Sequence, residues 1–367
     1  MIKLMSFFKS IRENEPLNFS NKHISLIKQK NKNINNIKCI VFFVWGMDKY
    51  SGGHRSILKL ASSLQSSGLD VSLYDVKKSD IVKNQKIADA MLGAEKVRFI
   101  SELKNKYDLG VATYWITAYS LLKNHKFFKN TAYFIQDFEP GFYPLSHLFW
   151  QAFNSYRLGH KNISLGDWNS NMIKAYDQSI DLQSVPFPCD LTSYPYEEPQ
   201  QFNGGVFNIV CFVKFSFRRG LPFIWQLLTA VKKKYKGNVC IKIIGLTPFA
   251  MPLPFGSSLG KVSPNNLKDI YKKTHLGIAP SFSNISLVPY EMQASGVPCI
   301  DFVEGSASNF IEDDSLIFVN LSIETCLESI DKCINDYSYA RQKVYNFQNK
   351  SYATNWDTIS SEFIKKI

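Results

Sequence analysis

The segment Ile37-Lys-Cys-Ile-Val-Phe-Phe-Val44 constrains the fold more than any other stretch of the chain. It is apolar without alternation, the pattern of a strand buried on both faces, and such strands belong to parallel sheets covered by helices. The residues that follow fit that reading. Trp45-Gly-Met-Asp-Lys-Tyr-Ser-Gly-Gly53 is a loop, a periodic helix runs to about Ser67, Gly68 stops it, and Val71-Ser-Leu-Tyr-Asp75 is the next strand. A strand–helix–strand succession of this kind implies a right-handed parallel crossover. Further strands are expected at 96–99, 109–113, 132–135 and 162–165 with helices between them, so this half reads as a doubly wound α/β domain.

Composition changes at 185–205, where Pro186, Pro188, Pro195 and Pro199 lead to Asn203-Gly-Gly205. This stretch reads as a linker. A second alternation starts at Phe207-Asn-Ile-Val-Cys-Phe-Val213, continues through a helix at 220–235 and a strand at 239–244, and ends in a tail that is helical from about Glu324 with a break near Asn349. The expected organisation is a polar extension at 1–36, a first Rossmann-like domain at 37–185, a linker at 186–205, a second such domain at 206–345 and a C-terminal helix at 346–367. Two domains of this α/β class are expected to face a central cleft, with ligands at the carboxyl ends of the strands.

The formal charge of +12 over 367 residues fits an anionic partner, or a surface simply rich in lysine. Only Lys232-Lys-Lys-Tyr-Lys236 is locally dense, and no nucleic-acid signature accompanies it, so nucleic acid is not expected as a partner. No window approaches the ~20 uninterrupted apolar residues of a membrane span, and residues 1–36 do not resemble a secretory signal. A cytoplasmic location is expected. The seven cysteines are scattered without CxxC or Cys/His grouping, which points to buried reduced thiols rather than disulfides or zinc ligands.

Four stretches carry chemistry. Pro280-Ser-Phe-Ser-Asn-Ile-Ser-Leu-Val-Pro-Tyr-Glu-Met-Gln-Ala-Ser-Gly296 reads as strand end, small polar loop, short helix and glycine stop. Free amides at such a helix start attract anions, phosphate above all, and Glu291 is placed to accept hydrogen bonds from sugar hydroxyls. Helix capping alone also explains Glu291, but not why the loop before it is so small and polar. Gly52-Gly53 allows positive φ and close approach to a ligand, or is a plain tight turn. In Lys214-Phe-Ser-Phe-Arg-Arg-Gly220, three cations after a strand either form a solvated loop or neutralise a diphosphate and its developing charge as a leaving group. In Gln136-Asp-Phe-Glu139, Asp137 and Glu139 are either turn residues or groups facing the cleft.

These residues resemble those of GT-B glycosyltransferases of the family 4 type, in particular bacterial rhamnosyltransferases of surface polysaccharide synthesis. The resemblance rests on Ser51-Gly-Gly-His-Arg-Ser-Ile57, on Tyr133-Phe-Ile-Gln-Asp-Phe-Glu-Pro-Gly-Phe-Tyr-Pro144, and on Gly277-Ile-Ala-Pro-Ser281 through Pro289-Tyr-Glu-Met-Gln-Ala-Ser-Gly-Val-Pro298. It covers about residues 38 to 345, and it implies that the last helix returns to the first domain. It further implies that Glu291 holds the nucleotide ribose. The diphosphate would then lie on the amides of Ser286 and Leu287 with Lys214 and Arg218 or Arg219, with Ser281 and Ser283 in the same loop and Gly52 and Gly53 approaching the donor. Gln136-Asp137 falls where many relatives have a His-Asp pair, and Ser283 stands where the family often has a second glutamate. The implied reaction is retaining transfer, independent of metal and without a further cofactor, of a sugar such as L-rhamnose from dTDP-L-rhamnose to a capsule, O-antigen or similar glycan. Asp137 and Glu139 would orient sugar or acceptor. The implied partners are a glycan or lipid-linked acceptor and an anionic membrane surface at the inner face of the bacterial plasma membrane. Alternatives are a UDP- or GDP-sugar donor, an epimerase of the same fold, or a catalytically silent subunit that binds sugar nucleotide or polysaccharide.

Overall fold

The computed structural model of the protein describes all residues except 1–20, 32–35, 94–96, 105, 190–193, 195, 199, 216, 247–252, 351 and 353. Most of the expected polar extension, residue 96 of an expected strand and parts of the expected linker therefore lie outside the described residues. The chain divides into two compact units. The first holds the described residues up to Leu165 together with Met172–Val185 and Ser360–Ile367, and the second holds Gly166–Asn171 and Pro186–Ile359.

The first unit runs α1 (Asn21–Lys30), β1 (Cys39–Val44), α2 (Gly52–Ser66), β2 (Asp70–Asp75), α3 (Ile81–Leu92), β3 (Arg98–Ile100), β4 (Tyr107–Ala112), α4 (Trp115–Lys123), β5 (Phe128–Ile135), α5 (His147–Asn154), β6 (Lys161–Leu165), the later part of α6 (Asp167–Tyr176) and β7 (Leu182–Val185). Its sheet has the order β3-β2-β1-β4-β5-β6-β7, with every pairing parallel. Ile40 pairs with Val71 on one side and Leu109 on the other, and Ile40 through Val44 are fully buried. That is the cause of the non-alternating run: a central parallel strand has two covered faces, so neither set of side chains meets water.

The second unit runs β8 (Phe207–Phe212), α7 (Leu221–Tyr235), β9 (Val239–Ile244), β10 (Ser257–Ser258), α8 (Pro264–Tyr271), β11 (Leu276–Ile278), α9 (Val288–Ala294), β12 (Cys299–Phe302), β13 (Ile317–Val319), α10 (Ile323–Asn335), α11 (Tyr337–Gln348) and the start of α12 (Trp356–Lys366). The sheet order is β10-β9-β8-β11-β12-β13, again wholly parallel. Both units are doubly wound Rossmann-like domains. In each, the chain turns back on its strand order once, between β1 and β4 and between β8 and β11, and the loops leaving those strands part at that point.

Two segments join their units in ways that composition does not announce. The stretch read as a linker is bound to the second unit over its described residues. Cys189 exchanges backbone hydrogen bonds with Thr354 (3.1 and 3.3 Å), Tyr194 is buried, Lys272 pairs with Glu197 at 2.8 Å, and the Tyr345 hydroxyl donates to Glu198 at 2.8 Å. Four prolines and two glutamates give it the look of a linker, yet Cys189 and Tyr194 anchor it by burial. The last part of α12 belongs to the first unit, where Phe363 is fully buried edge-on to Phe134 with ring centroids 5.8 Å apart, and Ser360 Oγ lies 2.9 Å from Ser63 Oγ.

Candidate functional site

In the first unit, the loop after β1 is held by its own polar groups. Gly46, at φ +66°, donates its amide to Asp75 Oδ1 (2.8 Å), Tyr50 N donates to Asp48 Oδ1 (2.9 Å), and Asp48 N donates to His54 Nδ1 (2.8 Å). Ser51 caps α2, its hydroxyl accepting His54 N at 3.2 Å. Because Nδ1 accepts, the His54 imidazole carries its proton on Nε2. Burial holds its pKa below the ordinary histidine value, against the pull of Asp48 and Asp75.

Gly52 and Gly53 begin α2, and neither has a positive φ. The expectation that they serve an unusual backbone conformation is therefore corrected. A Cβ on Gly52 would meet nothing within 4 Å, and one on Gly53 would stand 3.5 Å from Gln136 Oε1, an ordinary contact. The fold demands neither glycine. The same measurement places Gln136, at the end of β5, beside Gly53, so two sequence candidates far apart in the chain are brought together.

Asp137 and Glu139 part company. Asp137 is half-buried, and its Oδ1 accepts the amide of Phe138 at 2.9 Å. Glu139 is buried, and its Oε2 accepts the Trp115 amide at 2.5 Å and the Tyr133 hydroxyl at 2.8 Å, while its own amide donates to the Tyr156 hydroxyl at 3.2 Å. Trp115 is the first residue of α4, so the carboxylate satisfies an otherwise orphaned amide and meets the positive end of the helix. Glu139 thus closes the start of α4 from the interior of the first unit, and of the two carboxylates expected to orient sugar or acceptor only Asp137 is partly exposed.

In the second unit the turn after β8 meets the loop after β11, because β8 and β11 are paired neighbours at the reversal of strand order. Arg219 Nη1 donates to the Pro280 carbonyl at 2.9 Å. Gly220, at φ +58°, precedes α7, and a Cβ there would stand 2.3 Å from Phe282 Cε2. The glycine gives the left-handed turn and leaves room for Phe282, which stacks on Phe302 at 5.1 Å. Lys214 is exposed, with Nζ 5.3 Å from the Phe212 ring centroid, and Arg218 is half-buried.

The loop itself is knitted from within. Ser281 is fully buried. Its amide donates to Asp301 Oδ1 (2.9 Å), and its carbonyl accepts Ser306 N (2.7 Å) and Ser306 Oγ (3.2 Å). Ser306 Oγ also donates to the Ser283 carbonyl, and Ser283 is itself buried. Ser281 and Ser283, both expected at the donor, therefore build the loop from beneath. Ser286 and Leu287 are half-buried. Ser286 Oγ accepts Val288 N at 3.2 Å, and the Leu287 carbonyl accepts Glu291 N at 2.9 Å. Glu291 stands half-buried in the first turn of α9.

One residue of this unit escaped the sequence reading. Asp301 lies within the otherwise apolar run Cys299-Ile-Asp-Phe302, is fully buried, and accepts the amides of both Ser281 and Phe302 (2.9 and 2.8 Å) on one oxygen. The signal was present, since a carboxylate inside a buried strand is uncommon and requires a local reason.

The family described as WsaF, N-terminal domain, matches residues 51–169. Comparison with curated proteins finds none that matches the chain. Among solved structures, the chain is similar to sucrose-phosphate synthase from Thermosynechococcus elongatus (13% identity, 89% of this chain and 98% of that one, TM-score 0.64). It is also similar to Anabaena HepE in complex with UDP and glucose (13% identity, 89% and 98%, TM-score 0.67). An alpha-glucosyltransferase in complex with UDP and a DNA containing an HMU base is a further neighbour (12% identity, 90% and 99%, TM-score 0.59). At these identities the likeness establishes the fold, which is that of the GT-B glycosyltransferases. It lends no support to excluding nucleic acid as a partner, because one neighbour's complex contains DNA. No helix among the described residues is long and apolar enough to cross a membrane.

Proposed function

We propose that this chain is a glycosyltransferase that takes a sugar from a nucleoside-diphosphate donor. The observation that carries the reading is the extent of the likeness: about nine-tenths of the chain matches nearly the whole length of glycosyltransferase structures, including ones whose complexes hold UDP. The family match over 51–169 supports it from the amino-acid sequence.

The residues suit that chemistry. Lys214, Arg218 and Arg219 offer positive charge at the carboxyl end of β8, where a diphosphate leaving group gains most from it in the transition state. Glu291 accepts hydrogen bonds from ribose hydroxyls. Ser286 and Leu287 border the phosphates. In the first unit, Gly52 and Gly53 are glycines without an internal cause, which fits a surface against which a ligand lies. Gln136 and Asp137 orient the transferred sugar or the acceptor hydroxyl. In the retaining course that the resemblance suggests, the departing phosphate takes the acceptor proton, and neither a metal nor a separate base is needed.

The finer reading is transfer of L-rhamnose from dTDP-L-rhamnose to a growing surface glycan, at the inner face of the bacterial plasma membrane. A UDP- or GDP-sugar is the second reading, favoured by the UDP in two neighbours' complexes. Thermal-shift titration with dTDP, UDP and GDP and their sugars separates the donors. Stabilisation by a UDP-sugar and not by dTDP-L-rhamnose would replace the first reading by the second. No stabilisation by any of them would favour the silent-subunit alternative.

A further inference from the structure

Beneath the candidate phosphate loop lies a carboxylate that the reading above does not use. Asp301, at the carboxyl end of β12, is wholly removed from solvent. Its Oδ1 accepts the amides of Ser281 and Phe302, and so fixes the peptide that leads from Pro280 into the loop. Its Oδ2 is buried without a hydrogen-bond partner. The Pro280 carbonyl at the same peptide accepts the guanidinium of Arg219, so the carboxylate and the cation hold opposite ends of one peptide group.

We propose that Asp301 is the positioning residue of the donor loop, fixing the Pro280–Ser281 peptide and setting, as the counter-charge of Arg219, how much positive charge that loop offers an incoming diphosphate. This rests on the reading of the second unit as donor-binding.

The charge of the Asp301 carboxyl group changes within the physiological range. Burial pushes its pKa up to about 7, against the opposing pull of the Ser281 and Phe302 hydrogen bonds and of Arg219. The groups that act on it or feel it are Arg219, from the turn after β8, and Cys299, two residues back on its own strand, whose thiol it pushes further up. When Asp301 is ionised, Arg219 is partly neutralised from within. When it is protonated, Arg219 presents its full charge to a ligand. A diphosphate beside Arg219 therefore favours the protonated carboxyl, and donor binding takes up a proton. Oδ1 accepts the two amides in either state, so the loop keeps its shape while its charge changes.

The test is calorimetry of the full chain with UDP-glucose and with dTDP-L-rhamnose between pH 6 and 8.5, in buffers of different ionisation enthalpy. The diphosphate of a nucleotide sugar has no proton to lose in this range, so any linked proton belongs to the protein. The wild type is expected to bind with proton uptake and to lose affinity about tenfold across the range, the effect of a one-unit pKa shift. Asp301→Asn keeps an acceptor for both amides and is expected to bind at every pH as the wild type does at pH 6, without proton uptake. Asp301→Ala removes the acceptor and is expected to bind weakly throughout. Binding by the wild type with no linked proton, or an Asp301→Asn profile that still falls with pH, would overturn the proposal while leaving the glycosyltransferase reading intact. If neither nucleotide sugar binds at any pH, the reading of the second unit fails and the proposal fails with it.

Discussion

The Glu139 carboxylate accepts the backbone amide of Trp115 at 2.5 Å, closing the start of α4 from a loop two dozen residues further along the chain. Glu139→Ala leaves that amide and the Tyr133 hydroxyl buried without their acceptor, at an expected cost of about 1–3 kcal/mol. Asp137 stands two residues earlier and half-buried, and Asp137→Asn keeps the oxygen that accepts Phe138 N. It is expected to change stability by less than about 0.5 kcal/mol while lowering sugar transfer. Urea unfolding beside a transfer assay checks both, and equal stability losses in the two variants would undo the division of labour.

Gly52 gives the opposite kind of prediction. It lies in the first turn of α2 with open space around its missing side chain. Alanine suits a helix better than glycine, by up to about 1 kcal/mol in a helix interior and less at its start. Gly52→Ala should leave stability unchanged or slightly raised, yet reduce the rate of transfer. A variant as active as the wild type would mean that no ligand approaches this turn.

Gly220 is the contrasting case, a glycine that the fold requires. Gly220→Ala puts a Cβ into the ring of Phe282 and forces an L-residue to a φ of +58°. A loss of about 2 kcal/mol or more is expected, with weakened donor binding because the turn carries Arg219. Adding Phe282→Leu should recover the part due to the clash but not the part due to the backbone. Full recovery would show that the turn itself is unstrained.

The two units should answer acid in opposite senses. His160, in the first unit, is buried with Nδ1 2.8 Å from Thr131 Oγ1 and Nε2 3.0 Å from the Ala118 carbonyl, and burial pushes its pKa down to about 4. A depressed histidine stabilises the fold above its unfolded pKa of about 6.5 and loses that contribution as pH falls towards 4. Asp301, in the second unit, is raised to about 7. Its contribution is complete below the unfolded carboxyl pKa of about 4 and is lost as pH rises through 7. The opposed slopes overlap between roughly pH 4 and 6.5, so the wild type should appear nearly flat there. Asp301→Asn should then unfold more easily in acid, and His160→Gln more easily towards neutrality. Calorimetric melting of the three proteins at pH 4.5, 5.5 and 6.5 reads the signs directly, and parallel profiles would contradict both assignments.

The sheets were legible because a central parallel strand leaves an unmistakable trace. β1, β8 and β9 appear in the sequence as apolar runs close to their observed bounds. β7 did not, since Leu182-Gln-Ser-Val185 has only two apolar residues, and its existence depends on pairing with β6. Charge was harder to interpret than shape. Nothing local separates Asp137 from Glu139, because the difference lies in where Trp115 and Tyr133 come to rest. Asp301 sat in plain view within an apolar run, but its partners, Ser281 and Arg219, are brought to it only by the pairing of β8 with β11 and of β11 with β12. Gly52 and Gly53 looked like backbone devices until the dihedral angles removed that explanation.

The first unit takes its last piece from the far end of the sequence, where Ser360 meets Ser63 and Phe363 covers Phe134. On the ribosome this piece appears only after the whole second unit has been made. At roughly 5–20 residues per second, β1 to β7 wait on the order of ten seconds with Phe134 lacking its cover. Translation order thus leaves Phe134 without its edge-on partner until residues made after the second unit arrive, and a chain released before Phe363 would keep that side of the ring open.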